Sequence, residues 1–256
     1  MMLTLHLTEK TYSRTFSLRD IQLNVEKGRM LLLLGHNGAG KTTMIQSMFG
    51  LTPFTGFVSL HGKQLNFQSS AHISFLKEHV SYIPDDHALF DYLTPREYFH
   101  LLQLPDKRNG PREEAFVDLF ELRPYMDQPI AQLSHGNQKK TQIISQLLRP
   151  CDYYVFDEPT NGLDPDMMII LKKVLMKLRD QGAGILISTH HLGFGETLYD
   201  HLMILRNGDI KLDMSRQETN KTFPHQALED IYKEVNQDYY MQVERLLNDL
   251  DTTRSS

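Results

Sequence analysis

The run Gly35-His36-Asn37-Gly38-Ala39-Gly40-Lys41-Thr42 constrains this chain more than any other feature. It fills every position of G-x-x-x-x-G-K-[ST] and follows the continuous apolar run Met30 to Leu34. An apolar run of that length reads as a strand buried on both faces. The glycines let the backbone turn so that successive N–H groups point inward at a phosphate. A helix beginning at Lys41 and ending near Gly50 adds unsatisfied amides and the positive end of its dipole. In such a loop the lysine, Lys41, reaches the β- and γ-phosphates and the hydroxyl of Thr42 ligates Mg²⁺, while Thr43, next in the helix, is counted with the loop among the nucleotide-binding residues. The pattern predicts a nucleotide phosphate site between a strand and a helix.

Other strand candidates are Leu3–Leu7, Ile21–Val25, Phe57–Leu60, Val80–Ile83, Tyr153–Phe156 and Gly184–Ser188. A helix is expected from Asp164 to Gln181, with Asp164 as cap, Pro165 in the first turn and Gly182 at the exit. Leu171, Val174, Leu175 and Leu178 supply its buried stripe. Residues 94–149 carry helical patterns without a strong strand, which reads as a helical insertion in an otherwise alternating α/β chain. That alternation implies a largely parallel sheet with helices on its faces. The expected division is a catalytic unit over residues 1–220 and a C-terminal helix and tail over 221–256. Leu228, Ile231, Tyr232 and Val235 would form the docking face of that helix, with a frayed tail from Asp249.

Tyr153-Tyr154-Val155-Phe156-Asp157-Glu158 delivers two carboxylates to a strand end. Asp157 is placed to hold Mg²⁺ through water, and Glu158 to polarise an attacking water as general base.

Composition narrows the classes. The chain has 256 residues, 27 Lys+Arg against 32 Asp+Glu, and 40% apolar residues, so it is too hydrophobic for disorder and has no basic excess to attract nucleic acid. Its single cysteine, Cys151, forms no internal disulfide and is expected to be buried and inert, which fits a reducing compartment. The N-terminus lacks a signal-peptide pattern. The longest stretch free of charged residues, Thr42 to Gly62, holds Gly50, Pro53 and Gly56 and is no spanning helix. The expectation is a cytoplasmic protein. Twelve histidines show no close pairing of the kind a metal site uses, and His100 and His201 read as surface positions. Lys139-Lys140 reads as a solvated helix face, and Met167-Met168 as core filler.

Taken together, these motifs resemble the ATP-binding cassette (ABC) ATPase domain. Leu133-Ser134-His135-Gly136-Asn137-Gln138 resembles that family's signature, usually Leu-Ser-Gly-Gly-Gln. Asn161-Gly162-Leu163-Asp164 looks like its D-loop, and Ser188-Thr189-His190 like its switch-histidine loop. Tyr12 sits where the family stacks an aromatic ring on adenine. The resemblance runs in order from Tyr12 to about Ile210. It implies a P-loop NTPase fold: a mainly parallel core sheet, an N-terminal antiparallel β part and an inserted helical subdomain. It also implies ATP and Mg²⁺ as cofactors, and a head-to-tail dimer, of like or unlike subunits, that sandwiches each ATP. In that dimer one chain's phosphate loop faces the other's Ser134 and Gly136, which the helix after Ser134 presents at its N-terminus. His190 would touch the γ-phosphate in the same chain, and Asp164 would line the seam. A separate transmembrane permease is the implied partner, placing the chain peripherally on the inner face of the cell membrane. The helical insertion, with the loop at Asp85, would be its dock.

Three positions depart from the family pattern. His135 replaces a glycine, Asn137 replaces a glutamine, and Asp85 stands where the family commonly has Gln, although a subset of exporter-like members carries an acid there, usually Glu. Asp85 can still reach Mg²⁺ through water. The leading expectation is the ATP-hydrolysing subunit of an exporter. Two alternatives stay open: a family member acting outside transport, and an ATP-binding regulatory module with negligible turnover.

Overall fold

The computed structural model describes residues 1–13, 16–86, 89–102 and 110–252. Two sheets organise them. The first is antiparallel, with strand order β2-β1-β4-β5, built from β1 (Met2–Ser13), β2 (Phe16–Glu26), β4 (Thr55–Leu60) and β5 (Lys63–Gln64). The second, in the order β10-β9-β3-β8-β7-β6, uses β3 (Met30–Leu34), β6 (Val80–Ile83), β7 (Tyr153–Asp157), β8 (Gly184–Thr189), β9 (His201–Arg206) and β10 (Asp209–Ser215). All its neighbours pair parallel except β9 with β10. This is the expected mixed architecture, with a mainly parallel core and an antiparallel N-terminal part.

The helices are α1 (Lys41–Met48), α2 (Ser70–His79), α3 (Pro95–Leu102), α4 (Gly110–Leu119), α5 (His135–Leu147), α6 (Pro165–Asp180), α7 (Leu192–Gly195), α8 (Arg216–Thr222), α9 (Leu228–Val235) and α10 (Gln237–Thr252). The 94–149 stretch holds α3, α4 and α5 with short 3₁₀ turns at Arg123–Tyr125 and Ile130–Gln132, and no strand among its described residues.

The parallel strands are apolar throughout because each feeds two cores. Side chains alternate across a strand. Met30, Leu32 and Leu34 of β3 therefore pack with α5 and α6, while Leu31 and Leu33 pack toward the antiparallel sheet and α1. β7 divides in the same way, Tyr154 and Phe156 to one side, Tyr153 and Val155 to the other. The predicted stripe of α6 is buried, and the Asp164 carboxylate caps the helix by accepting from Met167 N at 2.9 Å. Burying such leucines is worth about 2 kcal/mol each, and truncating one to alanine costs more because a cavity remains.

Some expectations change. The tail does not begin at Asp249, since α10 continues to Thr252. The single closing helix is two, broken at Asn236, whose buried side-chain amide donates to Tyr232 O at 2.7 Å. Leu228 and Ile231 are buried as predicted, and Tyr232 and Val235 pack against the same core. Lys139 and Lys140 are buried, not solvated. Cys151 is half-buried rather than fully buried, and burial pushes its thiol above the ordinary range.

Candidate functional site

The phosphate loop joins β3 to α1 at the C-terminal edge of the parallel sheet, where ligands of open α/β sheets bind. Gly35 is required by crowding, because a Cβ there would lie 2.5 Å from the Leu205 carbonyl oxygen of β9. Gly38 and Gly40 adopt left-handed φ values of 84° and 111°. A cleft of about 390 Å³ is lined by Phe16, Asn37 to Thr43, Asp85 and Glu158. A further cleft beside it is lined by Gly35, His36, Asn37, His190, Leu192 and Tyr232. The closing helix α9 thus reaches the loop through Tyr232.

Lys41 is nearly sealed from solvent. Its Nζ donates to Gly35 O at 2.7 Å and forms an ion pair with Glu158 Oε1 at 2.9 Å, with both side chains 5% exposed. Glu158 Oε2 lies 2.9 Å from His190 Nδ1 and accepts from His190 N at 3.3 Å. One carboxylate therefore links the phosphate-loop lysine to the histidine after β8. Glu158 itself takes a left-handed φ of 46°, and its N–H donates to Ser188 Oγ at 3.1 Å. A non-glycine residue in that region is uncommon, and the same N–H also donates to Ser188 O of β8 at 3.1 Å, which helps hold it there.

Asp157 is fully buried at the end of β7, and the Ser188 hydroxyl donates to its Oδ1. Its Oδ2 is buried without a hydrogen-bond partner among the described residues. Burial raises its carboxyl above the ordinary range, opposed by the Ser188 and Thr42 hydroxyls and reinforced by the charges of Glu158 and Asp85. An orphaned buried carboxylate oxygen beside an exposed Thr42 hydroxyl fits a hard cation. The residues present therefore suit Mg²⁺.

Asp85 enters the same cleft. Its Oδ1 accepts from Asn161 Nδ2 at 2.8 Å. Two side chains of α5 hold its backbone: Lys139 Nζ donates to Pro84 O at 3.0 Å and Asp85 O at 3.2 Å, and Gln142 Nε2 donates to Asp86 O at 2.7 Å. Burial pulls the Lys139 ammonium below its ordinary range, against the opposing charges of Asp85, Asp157 and Glu158.

Ser134 caps α5, its hydroxyl accepting from Asn137 N at 3.3 Å. Ser134 and His135 are exposed, and Gly136 is partly so. A Cβ on Gly136 would lie 2.9 Å from Gly162 O, so the two loops touch through backbone. Asp164 is exposed beside them. None of these three signature-side residues, Ser134, Gly136 and Asp164, is among the residues lining this chain's own phosphate cleft.

Tyr12 lies near the end of β1, and its side chain falls outside the described residues. The aromatic ring that lines the cleft is Phe16, at the start of β2. Sequence reading also missed Ser188 as the partner of both Asp157 and Glu158, and Lys139 and Gln142 as the clamp on the Asp85 segment. A polar pair at i, i+3 on a helix that otherwise buries isoleucines was the available signal for the clamp. The spacing of the histidines along the sequence also gave no sign of one cluster of metal-binding side chains. His61, His79 and Asp152 converge at the opposite edge of the sheet.

Comparison with known proteins agrees with this geometry. Residues 18–161, more than half of the chain, match the family described as ABC transporter. The chain is 31% identical over 227 residues to the uncharacterised ABC transporter ATP-binding protein YhaQ of Bacillus subtilis (strain 168), covering 87% of this chain and 74% of that protein. It is 28% identical to the ABC-type transporter ATP-binding protein EcsA of the same organism, over 89% of this chain and 93% of the relative. It is equally 28% identical to the glutamate/aspartate import ATP-binding protein GltL of Escherichia coli (strain K12), over 83% and 90%. A solved structure titled as the ATP-binding subunit of an ABC transporter superposes with a TM-score of 0.83 at 28% identity, covering 92% of this chain and all of the other. Sequence, fold and site point the same way: this chain belongs to the family of ABC transporter ATP-binding proteins.

Proposed function

We propose that this chain binds and hydrolyses ATP and, as a head-to-tail dimer on a separate membrane permease, powers export. The observation that carries the hydrolytic reading is the Lys41–Glu158–His190 array at the phosphate loop. In this array the Lys41 ammonium neutralises the general base. A γ-phosphate in the loop competes for that ammonium, and Glu158 is then free to accept a proton from water while His190 keeps the carboxylate oriented. Thr42 and Asp157, with Asp85 reaching through water, would hold Mg²⁺, which supplies charge neutralisation on the phosphates. Phe16, with Tyr12 nearby on β1, would offer aromatic surface to the base.

Support for the dimer is the placement of Ser134 and Gly136 at the N-terminus of α5 and of Asp164 at that of α6, away from the phosphate cleft they would complete in a second copy. Support for the permease is twofold. No helix among the described residues is long and apolar enough to cross a membrane. Phe90 and Tyr92, in the turn before α3, and Leu101, in α3, are exposed, a surface suited to an apolar partner helix. The cytoplasmic, membrane-peripheral location follows from that partner. The direction rests on the acid at Asp85, the feature of exporter-like members.

The test is Glu158→Gln. The variant is expected to bind ATP, accumulate as an ATP-bound dimer and lose hydrolysis by about 100-fold or more. Unchanged hydrolysis would overturn the base assignment. Negligible single-turnover hydrolysis by the natural chain would instead favour the regulatory-module reading. Recovery with a polytopic chain from detergent-solubilised membranes tests the transport role.

A further inference from the structure

Outside the phosphate site, three elements bring metal-binding side chains to one point. His61 sits in the two-residue hairpin between β4 and β5, His79 ends α2, and Asp152 precedes β7. His61 Nε2 lies 3.1 Å and His79 Nδ1 2.8 Å from the same carboxylate oxygen, Asp152 Oδ2, and the three atoms all fall within 4.8 Å of one another. We propose that His61, His79 and Asp152 bind a divalent transition metal of the zinc type.

The geometry is near what such an ion requires. Ligand bonds of about 2.0–2.1 Å in a tetrahedron set donor atoms about 3.3 Å apart. Both histidine-to-carboxylate spacings lie within about half an ångström of that, and the two imidazole nitrogens are within 4.8 Å of each other. Two imidazoles and one carboxylate suit zinc-like ions over magnesium or calcium, which take all-oxygen sets. All three residues are half-buried, sheltered yet open to entry.

Local backbone and packing orient the set. His61 takes a left-handed φ of 54° followed by Gly62 at 80°, the primed hairpin turn that asparagine or glycine fills most easily. Its ring stands edge-on to His79 at 5.2 Å and beside Tyr153 at 5.6 Å, and its Nδ1 is buried without a hydrogen-bond partner among the described residues, leaving Nε2 as the engaged atom. Lys27 holds the other carboxylate oxygen, Oδ1, at 2.5 Å. That contact fixes the carboxylate's direction, as outer partners of metal ligands do, while its positive charge weakens the site. The five residues of β7 separate Asp152 from Glu158. At about 3.3 Å per residue the two sites stand roughly 16 Å or more apart, at opposite ends of one strand. An ion here would tie the hairpin, α2 and β7 together without touching the nucleotide.

The full-length chain, stripped with chelator and kept free of nucleotide, is titrated with Co²⁺ and read by visible absorption, then with Zn²⁺ and read by thermal unfolding. One equivalent of Co²⁺ should give the intense bands of a nitrogen-containing tetrahedral site, and Zn²⁺ should raise the unfolding temperature. His79→Ala and Asp152→Asn should weaken both responses by at least about tenfold. His61→Asn removes one ligand while suiting the left-handed turn at that position, and should weaken both responses as well, which decides the matter even if another ligand variant misfolds. Equal binding by the natural chain and Asp152→Asn, or by the natural chain and His61→Asn, would overturn the proposal.

Discussion

Lys41 and Glu158, 117 positions apart along the chain, form a buried ion pair of 2.9 Å between the phosphate loop and the end of β7. The pair accounts for how a lysine and a carboxylate survive at 5% exposure, since either alone would be strongly disfavoured there. It also means that the two halves of the site are mutually held, and that phosphate must compete with a carboxylate for Lys41.

Removing one partner should therefore cost stability as well as activity. Lys41→Met leaves Glu158 with His190 alone and is expected to destabilise the protein by about 3 kcal/mol without added nucleotide. Adding Glu158→Gln to that variant should recover part of the loss. Chemical denaturation of the four proteins of this cycle measures the coupling, and additive losses would show the pair to be unimportant.

His190→Ala should lower ATP hydrolysis by on the order of 100-fold with little change in ATP affinity, because His190 orients Glu158 and is not among the residues that line the phosphate cleft. Nucleotide binding and turnover measured side by side give the split. A loss confined to affinity would place His190 in ground-state binding instead.

The Lys139 clamp makes a different claim. Lys139→Met keeps the volume but frees the Pro84 and Asp85 carbonyls, at an expected cost of about 1–3 kcal/mol. Turnover should fall more than ATP affinity, as the Asp85 segment loses its place. Thermal unfolding with parallel steady-state rates checks both.

His201 offers a pH test away from the site. Its Nε2 lies 2.5 Å from Asp213 Oδ1, and that hydrogen bond raises its pKa above the ordinary 6.5, against partial burial. A raised folded-state value contributes stability below the unfolded pKa and loses it as pH rises through the folded one. Between acid and mildly alkaline pH the natural chain should therefore lose a stability increment that His201→Gln lacks. The increment is small, because the imidazole is 39% exposed. Denaturation midpoints of both proteins across that range decide it.

Much of this was legible from residues alone. Strands β3, β6, β7 and β8 announced themselves because they are buried on both faces and carry no polar break. Helices α1 and α6 were marked by their own chemistry, a glycine loop in one case and Asp164-Pro165 in the other. β9 and β10 escaped because His201, Arg206 and the charges of β10 dilute an edge pattern that only pairing makes regular. Lys139 was misread because a lysine looks solvated until two carbonyls of a distant loop are found to meet it. The His61, His79 and Asp152 cluster was invisible for the same reason: β-sheet order, not sequence spacing, brings its members together.

Gly136 and Gly162 meet with no room for a methyl group between them. The start of α5 and the turn before α6, which a second copy would meet in the proposed dimer, are therefore in close backbone contact. A side chain introduced at Gly136 would displace the turn before α6 whether or not any phosphate is near. Mutational scanning at Gly136 will accordingly report the fit between neighbouring loops first, and recognition of a partner's nucleotide only through it.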